Sequence, residues 1–154
     1  MIKKIKSLPA EKVLFLGIGN TARGDDGAGP YFINSLGSVS QRHKYKFIDC
    51  GVMPESFVKE IKACKPALIV FVDAADYGGE KAEIRELSLS EIDGVSASTH
   101  SMPLTLLAKF LAAEIQPAPD FLFLGVQAAS VNIGDDLDND IIHSINNLVA
   151  ALVI

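Results

Sequence analysis

The sequence predicts an α/β fold in three layers, with helices on both faces of a twisted, mostly parallel five-stranded sheet carrying one antiparallel strand. Three observations predict it. Short, continuously apolar runs such as Val13–Ile18 and Ala67–Val72 alternate with segments of helical period, the signature of an α/β layer fold. Those runs lack a polar face, as expected of strands covered on both sides. The predicted order of elements is βαβαββαβα, and right-handed crossovers then distribute helices over both faces of the sheet.

Each element has its own justification. Val13–Ile18 is the first strand, and a helix follows from about Ala28 to Leu36, with Pro30 in its first turn and Gly37 just past its end. Tyr45–Asp49 is the second strand. Pro54 to Cys64 is the second helix, with Phe57, Val58 and Ile61 on one face and Pro66 as its stop. Ala67–Val72 is the third strand and leads into Asp73. Ala82–Leu89 alternates Ile84, Leu87 and Leu89 with charged residues, the pattern of a half-exposed edge strand. The link from Asp76 to Lys81 is too short for a parallel crossover, so this strand runs antiparallel to its predecessor. Leu104, Leu107 and Leu111 mark a third helix, Phe121–Val126 the last strand, and Ile141, Ile145, Leu148 and Leu152 the closing helix. No repeat or linker divides residues 1–154, which are expected to form a single domain.

Composition narrows the function classes. A chain of 154 residues with 49% hydrophobic and 21% charged residues can bury a full core. A net charge of −5 argues against a broad phosphate-binding surface, since nucleic-acid affinity rests on neutralising phosphates; no nucleic acid is expected as partner. Cys50 and Cys64 show neither metal-ligand spacing nor a disulfide framework, which fits a reducing compartment. The basic start, Met1 to Lys6, lacks the apolar run of a signal peptide. No stretch approaches the ~20 apolar residues that span a bilayer. A soluble, cytoplasmic protein without membrane insertion is the expectation.

Three acidic positions fall at or just past the carboxyl ends of predicted strands, where ligands bind in open α/β sheets: Asp25-Asp26, Asp49 and Asp73. The segment from Gly17 to Gly27 begins like a dinucleotide-binding turn, a weak signal by itself. A pyrophosphate there needs bare amides at the helix N-terminus, and Asp25 and Asp26 would repel it. The plain alternative is that both carboxylates interact with the helix end, at ~0.5 kcal/mol each, and this reading suits Asp25. Asp73 ends an apolar run, and a carboxylate there is costly unless paired, hydrogen-bonded or bound to a cation. His100 immediately precedes the third helix. The connection from Ser90 to Thr99 can span roughly 30 Å if extended, enough to return His100 to the site. Two carboxylates and an imidazole, Asp26, Asp73 and His100, make a three-ligand set with room for a fourth ligand. Such O,O,N donors suit nickel or zinc better than magnesium. A histidine near a helix start is often only structural, and the residues alone leave both readings open.

The chain resembles the hydrogenase maturation endopeptidases over nearly its whole length after the first dozen residues. The resemblance rests on Gly17-Ile18-Gly19-Asn20, Gly24-Asp25-Asp26-Gly27-Ala28-Gly29-Pro30, Ile48-Asp49, Val72-Asp73-Ala74, Thr99-His100 with Met102-Pro103-Leu104, and Leu124-Gly125-Val126-Gln127. It is strongest to the type serving formate-linked, hydrogen-evolving hydrogenases. It implies a twisted sheet between helix layers and a peptidase that removes the C-terminal extension of a nickel–iron hydrogenase large-subunit precursor after nickel insertion. It further implies that Asp26, Asp73 and His100 contact nickel presented by that precursor, with no permanent cofactor. Asp49 matches another important acidic position and is a candidate general base, or else a hydrogen-bonded strand-end carboxylate. Cys50 stands where close relatives have glycine, and residues 128–137 depart from the family pattern.

Three rivals make different demands. A peptidyl-tRNA hydrolase needs a basic RNA surface and a histidine shortly after the opening strand, whereas this chain is acidic and its first histidine is His43. A nucleotide-binding module conflicts with Asp25-Asp26. A cysteine peptidase would pair Cys50 with His100, although a cysteine on a strand is usually packed. His43 and His143 are expected to face solvent, and the Asp135–Asp140 cluster to cap the last helix.

Overall fold

The computed structural model describes residues 1–39, 42–96 and 102–154. One five-stranded sheet, in the order β2-β1-β3-β5-β4, runs through it. The strands are β1 (Val13–Ile18), β2 (Lys46–Gly51), β3 (Leu68–Ala75), β4 (Ile84–Glu86) and β5 (Asp120–Gln127). The helices are α1 (Ile2–Lys6), α2 (Ala28–Val39), α3 (Val58–Ala63), α4 (Leu89–Val95), α5 (Leu104–Glu114) and α6 (Asn139–Val153). Strands β1, β2, β3 and β5 are parallel, and β4 alone is antiparallel, paired to β5. Hydrophobic patterning explains the layering. Every residue of β1 and β3 is buried, because alternate side chains enter two different cores. Phe15, Val70 and Val72 pack with Phe32, Leu36, Ile141 and Ile145 on the α2/α6 face. Leu16, Ile18, Ile69 and Phe71 pack with Ile61, Leu104, Leu107 and Leu111 on the α3/α5 face.

Several elements depart from their predicted form, each for a local reason. Helix α2 runs through Gly37 to Val39. Gly37 is not a cap: a Cβ there would lie 3.3 Å from the Phe47 ring, so glycine lets β2 approach the helix. The predicted second helix splits into a 3₁₀ turn, Pro54–Phe57, followed by the short α3. The edge strand keeps only Ile84–Glu86 of its predicted length. Ser88 then starts α4 with a capping box closed by Glu91, so a helix, not an extended connection, carries the chain back from the edge. Although β4 is antiparallel to β3, its hydrogen-bonded neighbour is β5, which inserts between them. The basic N-terminus forms α1: Ile5 is fully buried, and Lys6 Nζ donates to the carbonyls of Ala151 and Ile154.

Candidate functional site

Strand β1 ends in a loop built around a close backbone approach. Gly19 has φ +143°, and a Cβ on it would meet the Asp26 carbonyl oxygen at 1.8 Å, so glycine alone fits. A 3₁₀ turn, Gly24–Gly27, follows and feeds α2. Gly29, in the first turn of that helix, lies so near β1 that its Cβ would be 2.2 Å from the Ile18 carbonyl oxygen. These glycines press the turn carrying Asp25 and Asp26 against the strand ends.

The two neighbouring carboxylates have different duties. Asp25 is 2% exposed. Its Oδ2 accepts from the amides of Ala129 and Ser130 at 2.8 and 2.9 Å, and its Oδ1 from that of Asp138 at 2.9 Å. It therefore ties the β5–α6 connection to the β1–α2 loop, where the sequence reading gave it the local helix end. Asp26 is fully buried, and its Oδ2 accepts from the Asn20 amide at 3.0 Å. Asp73 is 6% exposed and sits two residues inside β3, which continues to Ala75 instead of ending at Val72. It pairs in register with Ile18 and Gly125. Its Oδ2 accepts from Ser96 Oγ at 2.5 Å.

His100 lies outside the described residues. The segments flanking it are pinned to the same end of the sheet. Ser96 bridges to Ala75, and the Asp76 amide donates to the Val95 carbonyl. Beyond His100, the Thr105 hydroxyl and amide donate to the Asp93 carboxylate, joining the start of α5 to α4. Among the described residues no group of three or more His, Cys, Asp or Glu side chains is placed to hold a metal. Of the predicted ligand set, the described pair is Asp26 and Asp73, at the carboxyl ends of adjacent β1 and β3.

Asp49 belongs to the same end of the sheet but to another face. It is exposed on β2, opposite Gly17, and faces α2 across a cleft of about 300 Å³ lined by Gly19, Asn20, Thr21, Pro30, Gly51 and Val52. Asp73, in register with Ile18, projects toward the α3/α5 face. Asp49 and Asp73 are two strands apart, roughly 10 Å at strand spacing. The Asp49 Oδ1 accepts from the Gly51 amide at 3.0 Å. Between Asp49 and Gly51, Cys50 is skipped in the β1–β2 register, and its thiol lies in the α3/α5 core. Cys50 is 3% exposed, and burial, reinforced by Asp49, Glu55 and Glu60, pushes its thiol up to about 12. A nucleophilic cysteine needs the opposite shift.

Gln127 carries weight that sequence reasoning did not assign. Its buried side-chain amide donates to Asp76 Oδ1 and accepts from the amides of Tyr77 and Gly79, both at 3.1 Å. It thereby fixes the turn leaving β3. The signal available was a polar residue ending an apolar strand, Leu124-Gly125-Val126-Gln127.

A parallel α/β sheet whose carboxyl end gathers buried carboxylates beside an open cleft has the architecture of an α/β enzyme that works at its strand ends. Comparison with known proteins makes the class particular. Residues 30–153 match the family model described as hydrogenase maturation protease. The chain is 33% identical over 115 residues to the hydrogenase 3 maturation protease of Escherichia coli K12, covering 74% of this chain and 71% of that one. It is 29% identical over 168 residues to a Methanocaldococcus jannaschii protein that bears the family name provisionally, covering 98% and 97%. The crystal structure of the nickel–iron hydrogenase maturation protease HycI from Thermococcus kodakarensis KOD1 aligns with TM-score 0.81 at 31% identity, over 93% of this chain and 90% of that one. The solution structure of endopeptidase HycI from Escherichia coli aligns with TM-score 0.80 at 29%, over 92% and 89%. The chain belongs to the hydrogenase maturation protease family, is an endopeptidase, and sits with its HycI type.

Proposed function

We propose that this endopeptidase removes the C-terminal extension of a nickel–iron hydrogenase large-subunit precursor, of the formate-linked type, once nickel has been installed. The observation that carries the proposal is the convergence of Asp26 and Asp73 on one end of the sheet, with Ser96 joining the segment that leads to His100 directly to Asp73. Asp26, Asp73 and His100 are the proposed grip on the precursor's nickel. Their role is to recognise the loaded active site and so position the nearby scissile bond. Asp26 has no exposed surface in this conformation, so nickel engagement requires the residues covering it to move.

Asp49 is the proposed general base. It lies on the opposite sheet face from Asp73, so it can activate a water only for a peptide bond held in the cleft at the strand ends, beyond Gly19 and Gly51. No helix among the described residues is long and apolar enough to cross a membrane. The reading places the reaction in the cytoplasm, without nucleic acid.

The test is incubation with nickel-loaded precursor, reading C-terminal trimming by mass spectrometry. Asp26→Asn, Asp73→Asn and His100→Ala should each reduce trimming at least a hundredfold while leaving the domain folded by circular dichroism. Wild-type rates in all three variants would exclude the proposed grip.

A further inference from the structure

Strand β2 is an edge of the sheet: β1 lies on one side, and no described strand covers the other. An edge presents unpaired backbone amides and carbonyls, a template for one more strand. Native edges are commonly guarded by a lysine pointing outward. Here Lys46 Nζ is instead turned to the Cys64 carbonyl at 2.8 Å, and Phe47 stays 36% exposed.

Hollows line the α2 side of this edge. Three hollows of about 300, 310 and 390 Å³ share Asp49 and Pro30 as walls. Together they run from Phe47 and Gly37, past Asn34, to Asn20 and Gly51 at the carboxyl end. The edge is also polar along its length. Asp49 is the acidic residue at the carboxyl end of β2 itself, with the buried Asp26 in the loop after the neighbouring β1 and Asp73 on β3, two strands in. At the amino end Arg42 and Lys44 are exposed, and neither has an ion-pair partner among the described residues.

We propose that β2 takes the C-terminal segment of the precursor as an added strand, antiparallel to β2. This rests on the endopeptidase reading above. Precursor nickel held at the acidic end fixes where the segment enters, and the segment then leads away along the edge toward Arg42 and Lys44. From Asp49 back to Lys46, the first residue of β2, is roughly 10 Å at strand rise, and Lys44 lies two residues further back, just outside the strand. The edge therefore reads about five residues beyond the cut, and the cations select a carboxylate at the far end of that stretch. Main-chain pairing supplies sequence-tolerant binding, while the Phe47–Gly37 hollow accepts one apolar side chain.

Two measurements on the nickel-loaded precursor test this. The first uses Arg42→Glu combined with Lys44→Asn. Asparagine suits Lys44 because its φ is +58°, a left-handed conformation that Asn tolerates. The double variant should raise KM at least tenfold and leave kcat within twofold. The second places photoreactive benzoylphenylalanine at position 47; irradiation with fresh precursor should label the extension within five residues of the cut, and should give no adduct with the mature subunit that lacks it. An unchanged KM, or adducts confined to the body of the subunit while trimming proceeds, would overturn strand addition and leave the endopeptidase reading intact. Failure of the wild-type protein to trim any loaded precursor would remove that reading, and this proposal with it.

Discussion

At the scale of single residues, the site depends on an atom that is missing. Gly19 holds φ +143° with the Asp26 carbonyl against the place where a Cβ would stand. Gly19→Ala would impose both a backbone conformation that L-residues avoid and a contact with main chain that cannot rotate away. A loss of about 3 kcal/mol is expected, with processing falling further because Asp26 moves with its carbonyl. Urea denaturation beside the trimming assay checks both effects. Cys50 makes the contrary case. Cys50→Ala should keep the trimming rate within twofold and cost about 1 kcal/mol for the small space it leaves. The thiol also has a pH signature. Its pKa is raised by folding, from 9.0 to about 12. The associated stability is therefore fully present below pH 9 and lost as pH rises toward 12. The stability difference between wild type and Cys50→Ala should shift in favour of the variant across that window, as followed by thermal melts.

At the scale of elements, Asp25 joins three stretches of chain through a single carboxylate, accepting from the amides of Ala129, Ser130 and Asp138. Asp25→Ala removes the buried acceptor of three part-buried hydrogen bonds to a charged group, at about 1–3 kcal/mol each before the freed amides turn to water. The expected outcome is a loss of about 3 kcal/mol or more, with the start of α6 and residues 128–137 losing hydrogen-exchange protection before the sheet does. This partnership was not legible in the sequence, because the donors lie more than a hundred positions downstream and are backbone groups that every residue carries. The strands were legible because β1 and β3 are buried on both faces and so written in unbroken apolar residues. Helix α4 is hidden in the sequence for the opposite reason: Leu89–Val95 is a single short amphipathic stretch, and the alternation of Leu87 and Leu89 reads as a continued strand unless the Ser88–Glu91 capping box takes priority. In sequence Gly37 has the form of a helix stop, although its role is to admit the Phe47 ring, a tertiary contact that local punctuation rules do not contain. The three acidic strand ends were visible from the apolar runs before them; that Asp49 and Asp73 leave opposite faces follows from the register with Gly17 and Ile18, which requires the strand order.

At the scale of the whole molecule, the proposed grip draws its parts from separate elements: Asp26 from the loop after β1, Asp73 from β3, and His100 from the segment between α4 and α5. A peptide carrying only the cleavage sequence would engage none of them. The expected discrimination therefore lies between two folded substrates, precursor with nickel and precursor without it. Specificity is a difference of affinities, and an advantage of ~3 kcal/mol for the loaded form already gives more than a hundredfold preference. Two carboxylate donors and an imidazole added to a bound divalent ion can supply that margin once the residues covering Asp26 move aside, because little water has to be stripped from either carboxylate: Asp73 is 6% exposed and Asp26 fully buried. On this proposal the extension is not cut before the metal arrives. The experiment compares matched precursors with and without nickel, supplies no free metal to the protease, and follows trimming by mass spectrometry. The loaded form should be cut at least a hundredfold faster, and Asp73→Asn should erase most of that ratio. Equal cleavage of both precursors by the wild-type protein would exclude nickel as the licence to cut, leaving the family and its peptidase activity in place.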